Sequence, residues 1–196
     1  MRRFLFMSLD AAIAGLVMAP IFWILNKKVF HNRKKTFFYF LFAVYLSGMF
    51  AVVGLPDIRY IRFDPHFNFI PFAYMFSDFT SSFLNVLLFV PMGIFLPLLW
   101  DDFRVLWKTL LFGLFASFLI ELLQIFTFRA SDINDLITNT VGTFVGWTIS
   151  RILLHFSKTP ISDAGSRDLY WVLGTTLFVM YFLHPYIADA IFSLLL

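Results

Sequence analysis

The chain predicts an all-α, polytopic integral membrane protein, a bundle of about six transmembrane helices. Three observations carry that prediction. Of its 196 residues, 60% are hydrophobic and only 14% charged, a balance outside that of soluble domains. The charges are also segregated, falling mostly between apolar runs of the roughly 20 residues a helix needs to cross a bilayer. Finally, a carboxylate, Glu121, lies well inside one of those runs. A buried acid of that kind is costly in lipid and turns toward protein or a wet cavity, which implies neighbouring spans.

Taken in order, Arg2 and Arg3 precede the first apolar run, Phe4 to Leu25, broken only by Ser8 and Asp10. Cleavage as a secretory signal would leave Lys27, Lys28, Arg33, Lys34 and Lys35 outside, against the positive-inside bias, so an uncleaved span is the reading. Asp10 reads as an interfacial carboxylate near the span's end. Thr36 to Leu55 is a second span without a charge. Pro56 to Ser81 is the longest loop; its apolar stretch from Phe67 to Phe72 is too short to cross and fits an interfacial or re-entrant segment. Ser82 to Trp100 is the third span, with Asn85 just inside and a bend expected at Pro91 and Pro97, each of which removes a backbone donor. A short charged loop, Asp101 to Lys108, leads to spans four (Thr109 to Phe128) and five (Ile133 to Phe156), where Arg151 can snorkel to the headgroups. The polar loop Ser157 to Asp168 precedes a sixth span, Leu169 to Ala188, with a bend expected at His184-Pro185. This gives three segments: 1–34 (first helix and basic loop), 35–156 (the central transmembrane domain) and 157–196 (loop, last helix and short apolar tail).

Spans four and five carry matching stripes. Gly113, Ser117, Glu121 and Gln124 share one helical face, as do Asp135, Asn139, Gly142, Gly146 and Ser150. The pattern predicts a close-packed hairpin about the turn Arg129-Ala130-Ser131-Asp132, with its polar ends beside the turn. Glu121 and Gln124 fall about 10 Å and 6 Å from the end of span four, Asn139 about 9 Å into span five and Asn85 about 4 Å into span three. All approach one membrane surface. A structural account is also at hand: Ser131 or Asp132 caps span five, with Asp135 closing a capping box, Arg129 pairs with Asp132, Asp135 or Glu121, and Gly142-xxx-Gly146 packs helices. That account suffices for Asp132, Gly142 and Gly146, but a bundle needing only stability seldom keeps an intramembrane acid such as Glu121.

Several functions are disfavoured. With no cysteine, disulfides, thiolate metal sites and cysteine nucleophiles are excluded. There is no HExxH, Ser-His pairing or phosphate-cradling glycine loop, and His31, His66, His155 and His184 lie outside the cluster, so neither a cofactor nor a metal is expected. No basic patch with stacking aromatics points to nucleic acid; the expected surroundings are membrane lipids. Ten Lys and Arg follow spans one, three and five against five on the opposite side, which places both termini and the polar cluster at the extracellular face.

Asn68-Phe69-Ile70-Pro71-Phe72, then Asn85-Val86-Leu87-Leu88-Phe89-Val90-Pro91-Met92-Gly93, then Glu121-Leu122-Leu123-Gln124 resemble the VanZ-like membrane protein family. Arg129, Asp132, Asp135, Asn139 and Gly142 continue the match in order, over roughly residues 35 to 156. Asn134 departs from the pattern, standing where many relatives carry an acid. The resemblance implies a multi-pass protein of the bacterial plasma membrane. The family's founding member is associated with low-level resistance to teicoplanin-type glycopeptide antibiotics. Two readings follow. In one, an outward polar pocket binds a lipophilic glycopeptide or a lipid-linked cell-wall intermediate, with Glu121, Arg129 and Asp135 as polar contacts under the loop Asn68, Pro71 and Phe72. In the other, an intramembrane enzyme uses Glu121 as general base on such an intermediate, with Asp132 or Asp135 orienting it. A transporter ranks last, for want of internal repeats.

Overall fold

The structure, a computed structural model, describes residues 2–54, 59, 63, 67, 68, 70–72, 79–127, 131–156 and 167–195. It is an all-α membrane bundle of the predicted class. Its helices are α1 (Arg2–Leu25, continuing as a π-helical turn Asn26–Phe30), α2 (Arg33–Val53), α3 (Phe79–Leu99), α4 (Leu106–Gln124), α5 (Ile133–Phe156), α6 (Arg167–Phe178, running on through a π-helical turn Val179–Leu183) and α7 (His184–Leu195). Among the described residues, five stretches are long and apolar enough to span: Leu9–Phe30, Arg33–Val53, Phe79–Leu99, Leu106–Gln124 and Arg167–Ser193. Helix α5 matches α1 in length, both having 24 residues, but its polar stripe lowers its hydropathy. Much of the longest loop, including Phe69, lies outside the described residues, and with it the test of a re-entrant segment.

The sequence divides into two compact units, Met1–Tyr60 with Ser166–Leu196, and Ile61–Gly165. In the first, α1 and α2 run antiparallel, with Gly15 opposite Val44 and Gly48 opposite Ala11. Its core is apolar and aromatic: the Phe30 and Tyr39 rings meet edge to face at 5.0 Å, and Phe22 and Phe40 at 5.8 Å. Asn32 caps α2 by accepting the Lys35 N–H at 3.1 Å. At His184-Pro185, where a bend is expected, the helical backbone continues without a break. The preceding turn widens to the π form, closed by the His184 N–H donating to the Val179 carbonyl, and a widened turn absorbs a proline's missing donor without ending the helix.

In the second unit α3 and α5 run parallel, and α4 runs antiparallel to α5. Gly142 lies against the Val86 carbonyl and Gly146 against that of Val90, while Gly93 faces Thr143, Gly146 and Trp147. Here the hairpin expectation is corrected. The Gly142-xxx-Gly146 pair packs on α3 rather than α4, so the closest backbone approach is between α3 and α5. Helix α4 meets α5 through Gly113, which faces the Thr143 side chain. Helix α3 continues unbroken through Pro91 and Pro97.

A polar cluster gathered on the start of α5

Two short strands, β1 (Phe67–Asn68) and β2 (Ser131–Asp132), pair in parallel with Asn68 opposite Asp132. This pairing brings the loop motif to the residues that open α5. Asp132 is the hub. Its Oδ1 accepts the Asn134 N–H at 2.8 Å, its Oδ2 accepts from Asn68 Nδ2 at 3.1 Å, and its own N–H donates to Glu121 Oε2 at 2.9 Å. The first of these caps α5, since a helix leaves its leading N–H groups without intrahelical acceptors. The capping box expected with Asp135 is therefore corrected: Glu121, reaching over from α4, accepts the Asp132 N–H. Asp135 instead accepts from Asn85 Nδ2 at 2.7 Å, joining α5 to α3.

Glu121 is held from a second direction, because Ser131 Oγ donates to its main-chain carbonyl at 2.8 Å. It is buried, as are Gln124, Ser131, Asn134 and Asn139. One turn deeper, Asn139 Nδ2 donates to Ser117 Oγ at 2.9 Å, tying α5 to α4 as the matched stripes predict. The Asn139 Oδ1 is buried with no hydrogen-bond partner among the described residues. Gln124 ends α4: its carbonyl accepts both the N–H and the Oγ1 of Thr127, each at 2.9 Å. Because the helix stops there rather than at Phe128, Glu121 sits about 4.5 Å from its end, not the deeper position expected.

Besides the Asn68 side chain, the loop contributes through its backbone. The Phe72 N–H donates to Asn134 Oδ1 at 2.6 Å, and Phe72 adopts φ 63, a left-handed conformation unfavourable for a residue with a Cβ. Strain of that kind persists where surrounding contacts over-determine it. Phe72 itself is 60% exposed, and Pro71 is exposed beside it. Arg129 lies outside the described residues. The structure thus brings together Asn68, Phe72, Asn85, Glu121, Asp132 and Asp135, with Gln124 and Asn139 on adjoining buried faces. Sequence reading missed Asn134 as a participant. Its signal was the two-residue spacing from Asp132, which suits a local side-chain-to-backbone turn.

Between α4 and α5 a cleft of about 160 Å³ is walled by Phe118, Leu122, Ile125, Ile133 and Leu136, with Glu121, Ser131 and Asp132 also lining it. Phe118 and Leu122 are exposed on the outer surface of the unit. The accessible surface of the cleft is apolar, and Glu121, Ser131 and Asp132 lie behind it with polar atoms engaged in the hydrogen-bonded cluster.

A family model described as VanZ/LLP1 matches residues 36–154. Protein VanZ of Enterococcus faecium is similar, 39% identical over 80 residues. That stretch is 40% of this chain and 48% of the relative, so the likeness spans about half the relative's length. No solved structure matches. Since the family match runs from the start of α2 almost to the end of α5 and takes in every described member of the cluster, the chain belongs to the VanZ/LLP1 family.

Proposed function

We propose that this membrane protein gives low-level protection against teicoplanin-type glycopeptides at the extracellular face of a bacterial plasma membrane, by binding a lipophilic or lipid-linked ligand. The observation that supports this reading best is the cleft between α4 and α5, apolar on its outer wall and bordered by Glu121, Ser131 and Asp132. An acyl or polyprenyl chain suits the apolar cleft, and a polar headgroup would lie at its rim beside the cluster, where hydrogen bonds in a low-dielectric setting discriminate strongly. The excess of Lys and Arg on the opposite side supports the outward placement. The enzymatic alternative asks Glu121 to abstract a proton, yet one of its oxygens already accepts the Asp132 N–H. Binding is the reading this geometry favours.

The test is glycopeptide susceptibility of a sensitive host expressing the chain, compared with Glu121→Gln and Asp132→Asn at matched membrane abundance. The intact chain should raise the inhibitory concentration of teicoplanin several-fold, and each variant should lose most of that gain. Protection undiminished in both variants removes the cluster from the explanation. Turnover of a polyprenyl-linked substrate by purified protein, abolished in Glu121→Gln, would instead favour the enzyme.

A further inference from the structure

We propose that the turn between α1 and α2 binds the headgroup of an anionic phospholipid, with the lipid's glycerol and first acyl methylenes in the aromatic groove beside it. The site lies wholly in the first compact unit and is independent of the cluster on α5.

Charge is the first argument. Lys27, Lys28, Arg33, Lys34 and Lys35 fall within nine residues, and no Asp or Glu occurs between Asp10 and Asp57. Lys27, Lys28, Arg33 and Lys34 are exposed. The nearby N-terminus of α2 adds the positive end of its dipole. A solvated basic face alone would be unremarkable, but this one borders a groove of about 250 Å³ whose lining includes Phe22, Trp23, Asn26, Arg33, Thr36 and Phe40. Trp23 is 60% exposed, forming an outward wall, and the Lys27 ammonium lies 3.6 Å from its ring centroid. An indole at the end of a spanning helix, with a cation over its face, sits at headgroup level.

The groove is also firmly built. Thr36 Oγ1 donates to Asn26 Oδ1 at 2.9 Å, joining the two sides of the turn. His31 closes the π-helical turn at φ 50, donating its N–H to the Asn26 carbonyl at 2.8 Å. The Arg33 guanidinium in the lining and the Lys27 ammonium over Trp23 match a phosphate carried on methylenes, since Arg engages phosphate oxygens bidentately while lysine supplies point charge. The groove is too small to enclose a whole phospholipid, which suits a headgroup and chain origin with the remaining chain in the bilayer.

The experiment uses the full chain in nanodiscs of phosphatidylcholine, with a minority of either phosphatidylglycerol or phosphatidylcholine bearing brominated acyl chains. The reading is quenching of the fluorescence that Trp23→Phe removes. Brominated phosphatidylglycerol should quench at a several-fold lower mole fraction than brominated phosphatidylcholine. Arg33→Gln should raise the mole fraction of phosphatidylglycerol required by up to about fivefold, the effect of one cation near a lipid surface, and adding Lys28→Gln and Lys34→Gln should bring it to that of phosphatidylcholine. Arg33→Lys should recover much of the loss. Should the triple variant fail to fold, Arg33→Gln against Arg33→Lys makes the same comparison. Equal quenching by the two lipids, or a preference untouched by Arg33→Gln, overturns the proposal. Relief of quenching by inorganic phosphate, at ionic strength matched with chloride, also overturns it by assigning the site to the free anion.

Discussion

The two compact units bury opposite kinds of side chain. In the first, the buried residues among those described are Phe22, Phe30, Tyr39, Phe42, Met18 and other apolar groups, with only Thr36, Ser47 and Thr176 as buried polar ones. In the second, ten of the buried side chains described are polar, Glu121, Gln124, Asn134 and Asn139 among them, against seven apolar. Lipid tails are as apolar as leucine, so burying leucine between helices gains little from the hydrophobic effect there. The first unit relies on shape, through interlocked rings with geometry-dependent attraction. The second draws its backbones together at glycines and links helices by hydrogen bonds, whose loss inside the protein leaves desolvated groups. A unit of the second kind is less tolerant of change and better suited to holding polar atoms in fixed positions.

Glycine substitutions separate the two units most sharply. A Cβ on Gly146 would collide with the Val90 carbonyl and lie 2.9 Å from Gly93 Cα; one on Gly48 meets nothing nearer than Ala11 Cβ at 3.9 Å. Backbone cannot yield by changing rotamer, so overpacking at Gly146 is expected to cost the upper part of about 1–3 kcal/mol. That outweighs the gain of up to about 1 kcal/mol from alanine's helix propensity. Gly146→Ala should therefore lower the midpoint of thermal unfolding, followed by fluorescence-detected size exclusion, whereas Gly48→Ala should hold or raise it. Midpoints moving the same way in both would erase the distinction between the units.

A smaller effect sharpens the contrast at Glu121. Glu121→Ala strips the Asp132 N–H of its acceptor, and an unmet donor at this partly buried site costs about 1–3 kcal/mol. Glu121→Gln keeps an acceptor oxygen in the same place and should cost less than about 1 kcal/mol. Thermal midpoints of the two variants check this, and the gap between them matters more than either value. If glutamine destabilises as much as alanine, the charge itself holds the turn, and loss of protection in Glu121→Gln reports folding rather than ligand contact.

Much of this was legible beforehand. Hydropathy located the spans, and α5 begins and ends where its apolar pattern places it, at Ile133 and Phe156. Helical periodicity put Ser117 and Asn139 on facing stripes, and they bond. Depth along the spans put Asn85, Glu121 and Asn139 at the same end of their helices, and each bonds within the first turns of α5 or to the residue that opens it. What one-dimensional spacing left open was the partner of each face: Gly142 and Gly146 suit any close helix, and only the three-helix arrangement assigns them to α3. The pairing of Asn68 with Asp132 joins residues 64 apart, and no local periodicity encodes that separation. The early end of α4 turns on Thr127, whose hydroxyl and N–H both reach the Gln124 carbonyl. In sequence that threonine looks like one more residue of an apolar run.

The smallest expected effect lies in the first unit, at a polar contact of the other kind. Tyr39 OH donates to Asp168 Oδ2 at 3.1 Å, and the ring is fully buried against Phe30. Tyr39→Phe keeps the ring packing and removes one hydrogen bond, and Asp168, only partly buried at the start of α6, remains within reach of water. A lost bond whose surviving partner can be solvated costs at the low end of about 0.5–1.5 kcal/mol. The variant should unfold within a few degrees of the parent and well above Gly146→Ala. A drop as large as that of Gly146→Ala would show that the first unit, too, hangs on a single polar contact, and that its aromatic packing is not what holds it.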